Sequence, residues 1–231
     1  MIPKPHNQRP SEWRKLFGVA GELLDQVKVQ LGGYDFQWSF GGGTAMMLQI
    51  GHRESHDIDL FFDDAQLLGF LDPAKSDLIL SLMPSEYGGD GARFQKFAFA
   101  NLGEIDFIVA GPLSSNPFTE QQIEGRVTKL ETVAEIIIKK VYHRGGEAKA
   151  RDIFDIAASS LTHRAEIVAA LAAYPVHTKA TLDRLRGLNP EFVSSTIDQL
   201  MIMPAYRALV PECSAIVERL LTEVVTAEGP E

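Results

Sequence analysis

Apolar positions recur at helical spacing from Ser11 to Leu31, with Ser11 placed to cap the helix and Gly32-Gly33 to end it. The period then shortens. Phe36 to Phe40 predicts a short strand, Gly41 to Gly43 a turn, and Thr44 to Gln49 a short helix that closes near Gly51. Asp57 to Phe62 alternates acid and hydrophobe as a half-buried strand does. The spacing predicts a helix over 72–82. It then predicts a hairpin of Arg93 to Ala100 with Glu104 to Ala110, turned at Asn101-Leu102-Gly103. Gly111 to Thr119, rich in Pro and Ser, reads as a connector. Beyond Val127 the period is helical: Thr132 to His143, Ala150 to Thr162, Arg164 to Tyr174, Thr178 to Leu185, Pro190 to Met201 and Pro211 to Ala227. Strands cluster in the first half and helices in the second, which predicts an α+β fold with a boundary near Pro112 to Glu131.

The strand opening at Asp57 carries the chemistry most plainly. Side chains alternate between the faces of a strand, so Asp57 and Asp59 share one face while Ile58 and Leu60 enter a core. Two hard oxygen ligands suit Mg²⁺, and Mg²⁺ suits nucleotide phosphates. The glycines upstream let backbone N–H groups approach phosphate, and the helix starting near Thr44 aims its positive end the same way. Ser55 and Arg53, on the loop before Asp57, are further candidates for phosphate contact. His52 and His56 flank them and read as neighbours of the site rather than ligands. Asp106 lies between apolar residues on the later strand. It is either a third metal ligand beside Asp57 and Asp59 or a strand-end, salt-bridged acid.

In the helical half, Val133, Ile136, Ile137 and Val141 form an apolar stripe with Lys140 beside it and Arg144 a turn further on. Lys139 points toward Glu135 and His143. A lysine on an inward face either snorkels or meets an anion, and a triphosphate is such an anion. Asp152 opens the next helix. It either complements the helix dipole, fixes Lys140, or accepts a proton from an attacking hydroxyl. Arg151 and Asp155 are spaced to pair on one face.

Composition narrows the class. The 231 residues allow one large domain or two small ones. No apolar run is long enough to span a membrane, and the polar, proline-rich start from Met1 to Pro10 has no signal-peptide core. The single cysteine, Cys213, excludes an internal disulfide and a thiolate zinc cluster. A cytoplasmic protein with no membrane partner is the expectation. The net charge of −9 argues against broad nucleic-acid binding, yet Arg126 to Arg151 holds seven Lys/Arg against three Glu. That local excess suits a nucleotide or an RNA end, or else a solvated helical face.

Taken together, Gly42-Gly43-Thr44-Ala45, then His52 to Phe61, then Ile105-Asp106-Phe107, then Ala134-Glu135 through Lys140 to Gly145, then Ala150 to Ile156 resemble the AbiEii/AbiGii nucleotidyl transferases. These are toxin-like members of the DNA polymerase β nucleotidyl transferase superfamily. The resemblance covers about residues 35 to 160 and rests on the order of the motifs. It implies a small mixed sheet with flanking helices over 1–125, and a helical C-terminal domain over 126–231 that completes an active-site cleft. It implies an NTP and Mg²⁺, and transfer of a nucleoside monophosphate to an acceptor such as an RNA or tRNA end. A toxin of this kind would have a cognate antitoxin. By position, Ser55 and Asp57 match the acidic motif, Lys140 the lysine element and Asp152 the downstream acid. The resulting expectation has Asp57, Asp59 and Asp106 on the metal, with Gly42, Gly43, Thr44, Arg53, Ser55 and Arg144 on the nucleotide. Lys140 sits against the triphosphate, and Asp152 orients Lys140 or acts as base. The rival readings are a transferase acting on a small-molecule acceptor, as in antibiotic modification, and an inactive toxin-like binding partner.

Overall fold

The computed structural model describes residues 9–227. The polar start read over Met1 to Pro10 therefore lies outside the described residues up to position 8. Contacts divide the chain into two units built from interleaved stretches. One comprises Met1–Ala45, Ser55–Pro112 and Phe118–Glu131; the other comprises Met46–Glu54, Leu113–Pro117 and Thr132–Glu231.

The first unit is a seven-stranded mixed sheet: β1 (Ser39–Gly41), β2 (Ile58–Phe62), β3 (Glu86–Gly89), β4 (Phe94–Phe99), β5 (Gly103–Val109), β6 (Phe118–Ile123) and β7 (Arg126–Glu131). Their spatial order is β3-β4-β5-β2-β1-β7-β6. β2 runs parallel to β5 and antiparallel to β1, and β1 runs parallel to β7. On β2, Ile58, Leu60 and Phe62 are buried while Asp59 and Phe61 between them are half-buried, as alternation requires. Phe40, Phe97, Ile105 and Phe107 complete the core. Each such side chain contributes about 1.5–3 kcal/mol by leaving water. Helix α1 (Trp13–Gln30) packs along β2 and β5 through Leu16, Phe17, Ala20, Leu23, Leu24 and Val27. The Ser11 hydroxyl accepts the Trp13 N–H, and Gly32 and Gly33, both at positive φ, end the helix.

Two stretches depart from the pattern read in the sequence. Residues 72–82 are not helical: only α3 (Leu67–Phe70) precedes them, and turns follow. The Asp72 carboxylate accepts the Ala74 N–H, which closes a turn at Pro73. The Gln26 amide then takes both the N–H and the carbonyl of Ile79 and holds that stretch extended, much as a strand neighbour would. Residues 118–131, expected to include a connector and a domain boundary, form the β6–β7 hairpin instead. Its turn places Glu124 and Gly125 both at positive φ.

Helix α2 (Gly42–Ile50) leads from β1 into the second unit. That unit holds α4 (Val133–Arg144), α5 (Ala150–Ser159), α6 (Arg164–Ala172), α7 (Pro175–Arg186), α8 (Pro190–Ile197) and α9 (Cys213–Thr226), with 3₁₀ turns at Gly145–Glu147 and Pro204–Glu212. The Thr132 hydroxyl caps α4 by accepting the Glu135 N–H. α9 packs on α5 and α7, and α4 on α6, around Ile137, Phe154, Leu171, Val217 and Leu221. The segment 46–54 is tied into these helices. Arg53 bridges to Ile202, the Glu54 N–H donates to the Met201 carbonyl, and the Met203 N–H donates to the His52 carbonyl. No helix among the described residues is long and apolar enough to cross a membrane.

Candidate active site

In the sheet unit, the parallel register sets Asp59 of β2 directly beside Asp106 of β5. Burial and the charge of Asp59 push the Asp106 carboxyl up to about 7. Its Oδ1 is buried without a hydrogen-bond partner among the described residues, and its Oδ2 lies 3.4 Å from the Lys96 Nζ. Asp57 sits one residue before β2, where its Oδ1 accepts the Glu104 N–H at 3.0 Å. Gly103 permits that approach. It has φ +136°, and a Cβ there would lie 2.8 Å from the His56 carbonyl oxygen and 3.2 Å from the Asp57 Oδ1.

The glycine turn packs closely against the acids. Gly41 pairs with Asp59 across β1 and β2, and Gly42 opens α2 at φ +69°. A Cβ on Gly42 would fall 1.8 Å from the Asp59 Oδ2, and one on Gly41 would fall 2.1 Å from the Glu131 Oε2. Thr44 is fully buried, and its hydroxyl donates to the Asp57 carbonyl. That contact fixes the acidic strand from behind. Gly43 lies in the first turn of α2, half-buried. Ser55 is buried, and its carbonyl accepts the Ser11 hydroxyl.

In the helical unit, the remaining candidates gather around two carboxylates of α5. Asp152 Oδ1 accepts Lys140 Nζ at 3.0 Å and Arg144 Nη2 at 2.6 Å, while its Oδ2 accepts the Lys149 N–H at 3.2 Å. Burial drives this carboxyl up, but Lys140 and Arg144 outweigh it and hold it below its ordinary value. Capping and fixing Lys140 are thus both realised in one side chain. Asp155 is fully buried. Arg53 grips it with two N–H groups at 2.7 and 2.9 Å, His52 Nε2 lies 2.9 Å away, and Lys140 Nζ 3.0 Å. Against the cost of burial, Arg53 and Lys140 hold Asp155 well below its usual range. Burial lowers the His52 pKa, and because the Asp155 carboxylate can only accept, it is the His52 Nε2–H that donates. Lys139 is also buried, 3.7 Å from Glu135.

The structure therefore brings Asp59 and Asp106 together, with Asp57 a step away along the chain, and separately brings Lys140, Arg144 and Asp152 together. The Arg53 guanidinium is directed to Asp155. The expected Arg151–Asp155 pair is replaced by this network: Arg151 is exposed, while Asp155 turns into the core toward Arg53. Sequence reasoning missed Lys96 and Glu104, and gave Asp155 only as a partner for Arg151. Counting outward from the expected Asn101–Gly103 turn would set Ala98 opposite Asp106; the strands instead pair Phe99 with Gly103, which puts Lys96 there, where its ammonium also pairs with Glu104. The signal for Asp155 was its i,i+3 spacing from Asp152.

Among the described residues no three His, Cys, Asp or Glu side chains form a ready-made metal cage. Mg²⁺ does not need one: it keeps several waters and binds through one or two carboxylates plus substrate phosphates. Two adjacent acids, one with an unpartnered buried oxygen and a raised pKa, are a place short of positive charge, and they fit such an ion.

The family described as "Nucleotidyl transferase AbiEii toxin, Type IV TA system" matches residues 24–214. Among solved structures, MenT4, a nucleotidyltransferase toxin from Mycobacterium tuberculosis H37Rv, is 18% identical with a TM-score of 0.48, covering 93% of this chain and 91% of that one. An H. pylori protein assigned as a nucleotidyltransferase is 16% identical with a TM-score of 0.46, covering 91% of this chain and 96% of that one. A search of curated proteins gives no match. The family match spans most of the chain: it belongs to the AbiEii nucleotidyl transferase toxins of type IV toxin–antitoxin systems, and it is a nucleotidyl transferase.

Proposed function

We propose that this nucleotidyl transferase moves a nucleoside monophosphate from an Mg²⁺-bound NTP to the end of an RNA, tRNA included, and that a cognate antitoxin counteracts it in the cytoplasm. The observation that carries the reading is the Asp59–Asp106 pair, with its unpartnered Oδ1, beside the glycine-opened start of α2. Asp59 and Asp106 would hold the ion, with Asp57 contributing the oxygen that Glu104 leaves free. When bound, Mg²⁺ supplies the positive charge that favours attack at the α-phosphate and departure of pyrophosphate. The first-turn N–H groups at Gly42, Gly43 and Thr44 suit the phosphates, as does Ser55. Lys140 is assigned to the triphosphate charge. Asp152, whose oxygens are committed to Lys140, Arg144 and the Lys149 N–H, fits the orienting role better than that of a base. In the reaction the acceptor hydroxyl oxygen bonds to the α-phosphorus, the bond to the bridging oxygen of pyrophosphate breaks, and the hydroxyl proton leaves to solvent.

The test is incubation of the purified protein with total tRNA, Mg²⁺ and each α-³²P-labelled NTP, resolved on a denaturing gel. Labelled RNA with one or two of the NTPs, lost on Asp57→Asn, is the expected result. The Asn amide oxygen can still accept the Glu104 N–H, so the fold survives. Label on small molecules and none on RNA would move the acceptor to that class. No label anywhere would leave a toxin-like binding protein.

A further inference from the structure

Four rings cluster on the surface of the helical unit. Tyr142 of α4 stacks on His177 of α7, with centroids 4.2 Å apart and planes 24° from parallel. Tyr174 and His143 stand edge-on to Tyr142 at 5.2 and 5.0 Å. Tyr174 is pinned through its hydroxyl, which donates to the Leu113 carbonyl. Yet Tyr142 remains 37% exposed and His143 is exposed as well. Rings arranged this way are neither core nor a single stray aromatic. They form a preordered, partly open cluster in which the Tyr142–His177 stack is braced by edge-on rings.

Cations follow directly. The turn Gly145–Glu147 lies against α7: a Cβ on Gly145 would meet the Thr181 Oγ1 at 2.0 Å, and the His177 carbonyl lies beside it. Arg184 Nε donates to the Ala148 carbonyl. His177, Thr181 and Arg184 therefore run along one face of α7, spanning roughly 10 Å, with the rings at one end and Arg184 at the other. Lys149 and Arg151 follow the turn and are exposed. In a chain of net charge −9, rings and cations are concentrated together on one stretch. Stacking platforms beside basic side chains are how proteins hold unpaired nucleotides.

We propose that Tyr142 and His177 form a base-stacking site for an unpaired nucleotide at the acceptor RNA end, with Arg184, Lys149 and Arg151 on the neighbouring phosphates. The inference rests on the RNA reading above. Its test measures binding without NTP, so it is independent of catalysis. The probes are a fluorescein-labelled RNA duplex with a four-nucleotide 3′ overhang, the same duplex blunt-ended, and an overhang carrying 2-aminopurine. The overhang should bind the parent more tightly than the blunt duplex and quench the 2-aminopurine. Tyr142→Ala should weaken overhang binding about 5- to 150-fold and abolish quenching, with the blunt duplex unchanged. Tyr142→Phe should retain both, and His177→Ala should repeat the Ala effect, which guards against a folding defect in one variant. Lys149→Ala should instead weaken both duplexes and lower the salt slope by about 1. If Tyr142→Ala and His177→Ala bind the overhang like the parent, or Tyr142→Phe fails as Ala does, the stacking site is wrong while the RNA reading stands. If the parent binds neither RNA at low salt, the RNA reading itself fails.

Discussion

Gly42 shows how a single residue ties the turn to the acid. Its φ of +69° already disfavours any side chain, and the space where a Cβ would sit holds the Asp59 carboxylate. Gly42→Ala must therefore both strain the backbone, at a cost of about 1–3 kcal/mol, and displace Asp59. The expected outcome is a lowered melting temperature together with a loss of nucleotide transfer that persists at temperatures where the variant is still folded. Asp106 makes a second residue-scale prediction through its raised pKa. Between its ordinary value of 3.8 and about 7, the folded metal-free protein binds a proton that the unfolded chain has released. Stability from this group is present below the lower value and is lost as pH rises through the upper one, by about 4 kcal/mol at most. Urea titrations of the metal-free protein should show the parent losing stability from pH 4 to 7 relative to Asp106→Asn. Parallel curves for the two would refute it. The acids at 57, 59 and 106 were legible because alternation and apolar neighbours mark them in one strand at a time. Their pairing was not, since register between β2 and β5 depends on residues 47 positions apart.

At the scale of the element, α5 is defined by what its buried face must neutralise. Asp155→Ala leaves the Arg53 guanidinium buried without its carboxylate and Lys140 with one partner fewer. That should cost about 3–5 kcal/mol, read as a lower urea midpoint. Arg151→Ala, on the exposed side of the same helix, should stay within about 0.5 kcal/mol. Equal losses in the two variants would restore the local pair that the sequence suggested. Because both Asp155 and Asp152 are held below their usual value, their contribution is present above about pH 4 and lost as pH falls through the folded values. The elements themselves were read unevenly. Helices with a clear stripe and a capping residue, such as α4 after Thr132, were legible. The helix expected over 72–82 was not there, because periodicity cannot foresee that a distant Gln26 side chain will hold Ile79 extended. Strand β6 was invisible for the opposite reason: an exposed edge strand of Thr, Glu and Gln carries no apolar alternation to read.

For the molecule as a whole, membership of a toxin family predicts a cost to its host. Induced expression of the parent should arrest growth, and Asp57→Asn should not; equal growth of the two strains would remove the toxin role while leaving the enzyme standing. The sequence made the order of sheet then helices visible but not the path between them. It suggested one boundary, whereas the chain leaves the sheet unit at Met46, returns at Ser55, leaves again at Leu113, returns at Phe118 and departs finally at Thr132. No local signal reports such exchanges, because the residues at 46–54 look like any helix-and-loop stretch until their partners at 201–203 are known.

That late pairing has a consequence for how the protein comes into being. The carboxylate of Asp155 waits for Arg53 and His52, and the backbone of the segment bearing them pairs with residues past 200. During translation the ribosome must therefore extrude nearly everything up to α9 before the helical unit can close. A nascent or prematurely truncated chain would carry the acidic strands without the locked ion network. Until residues 201–203 emerge, the segment bearing Arg53 and His52 lacks the backbone pairing that secures it.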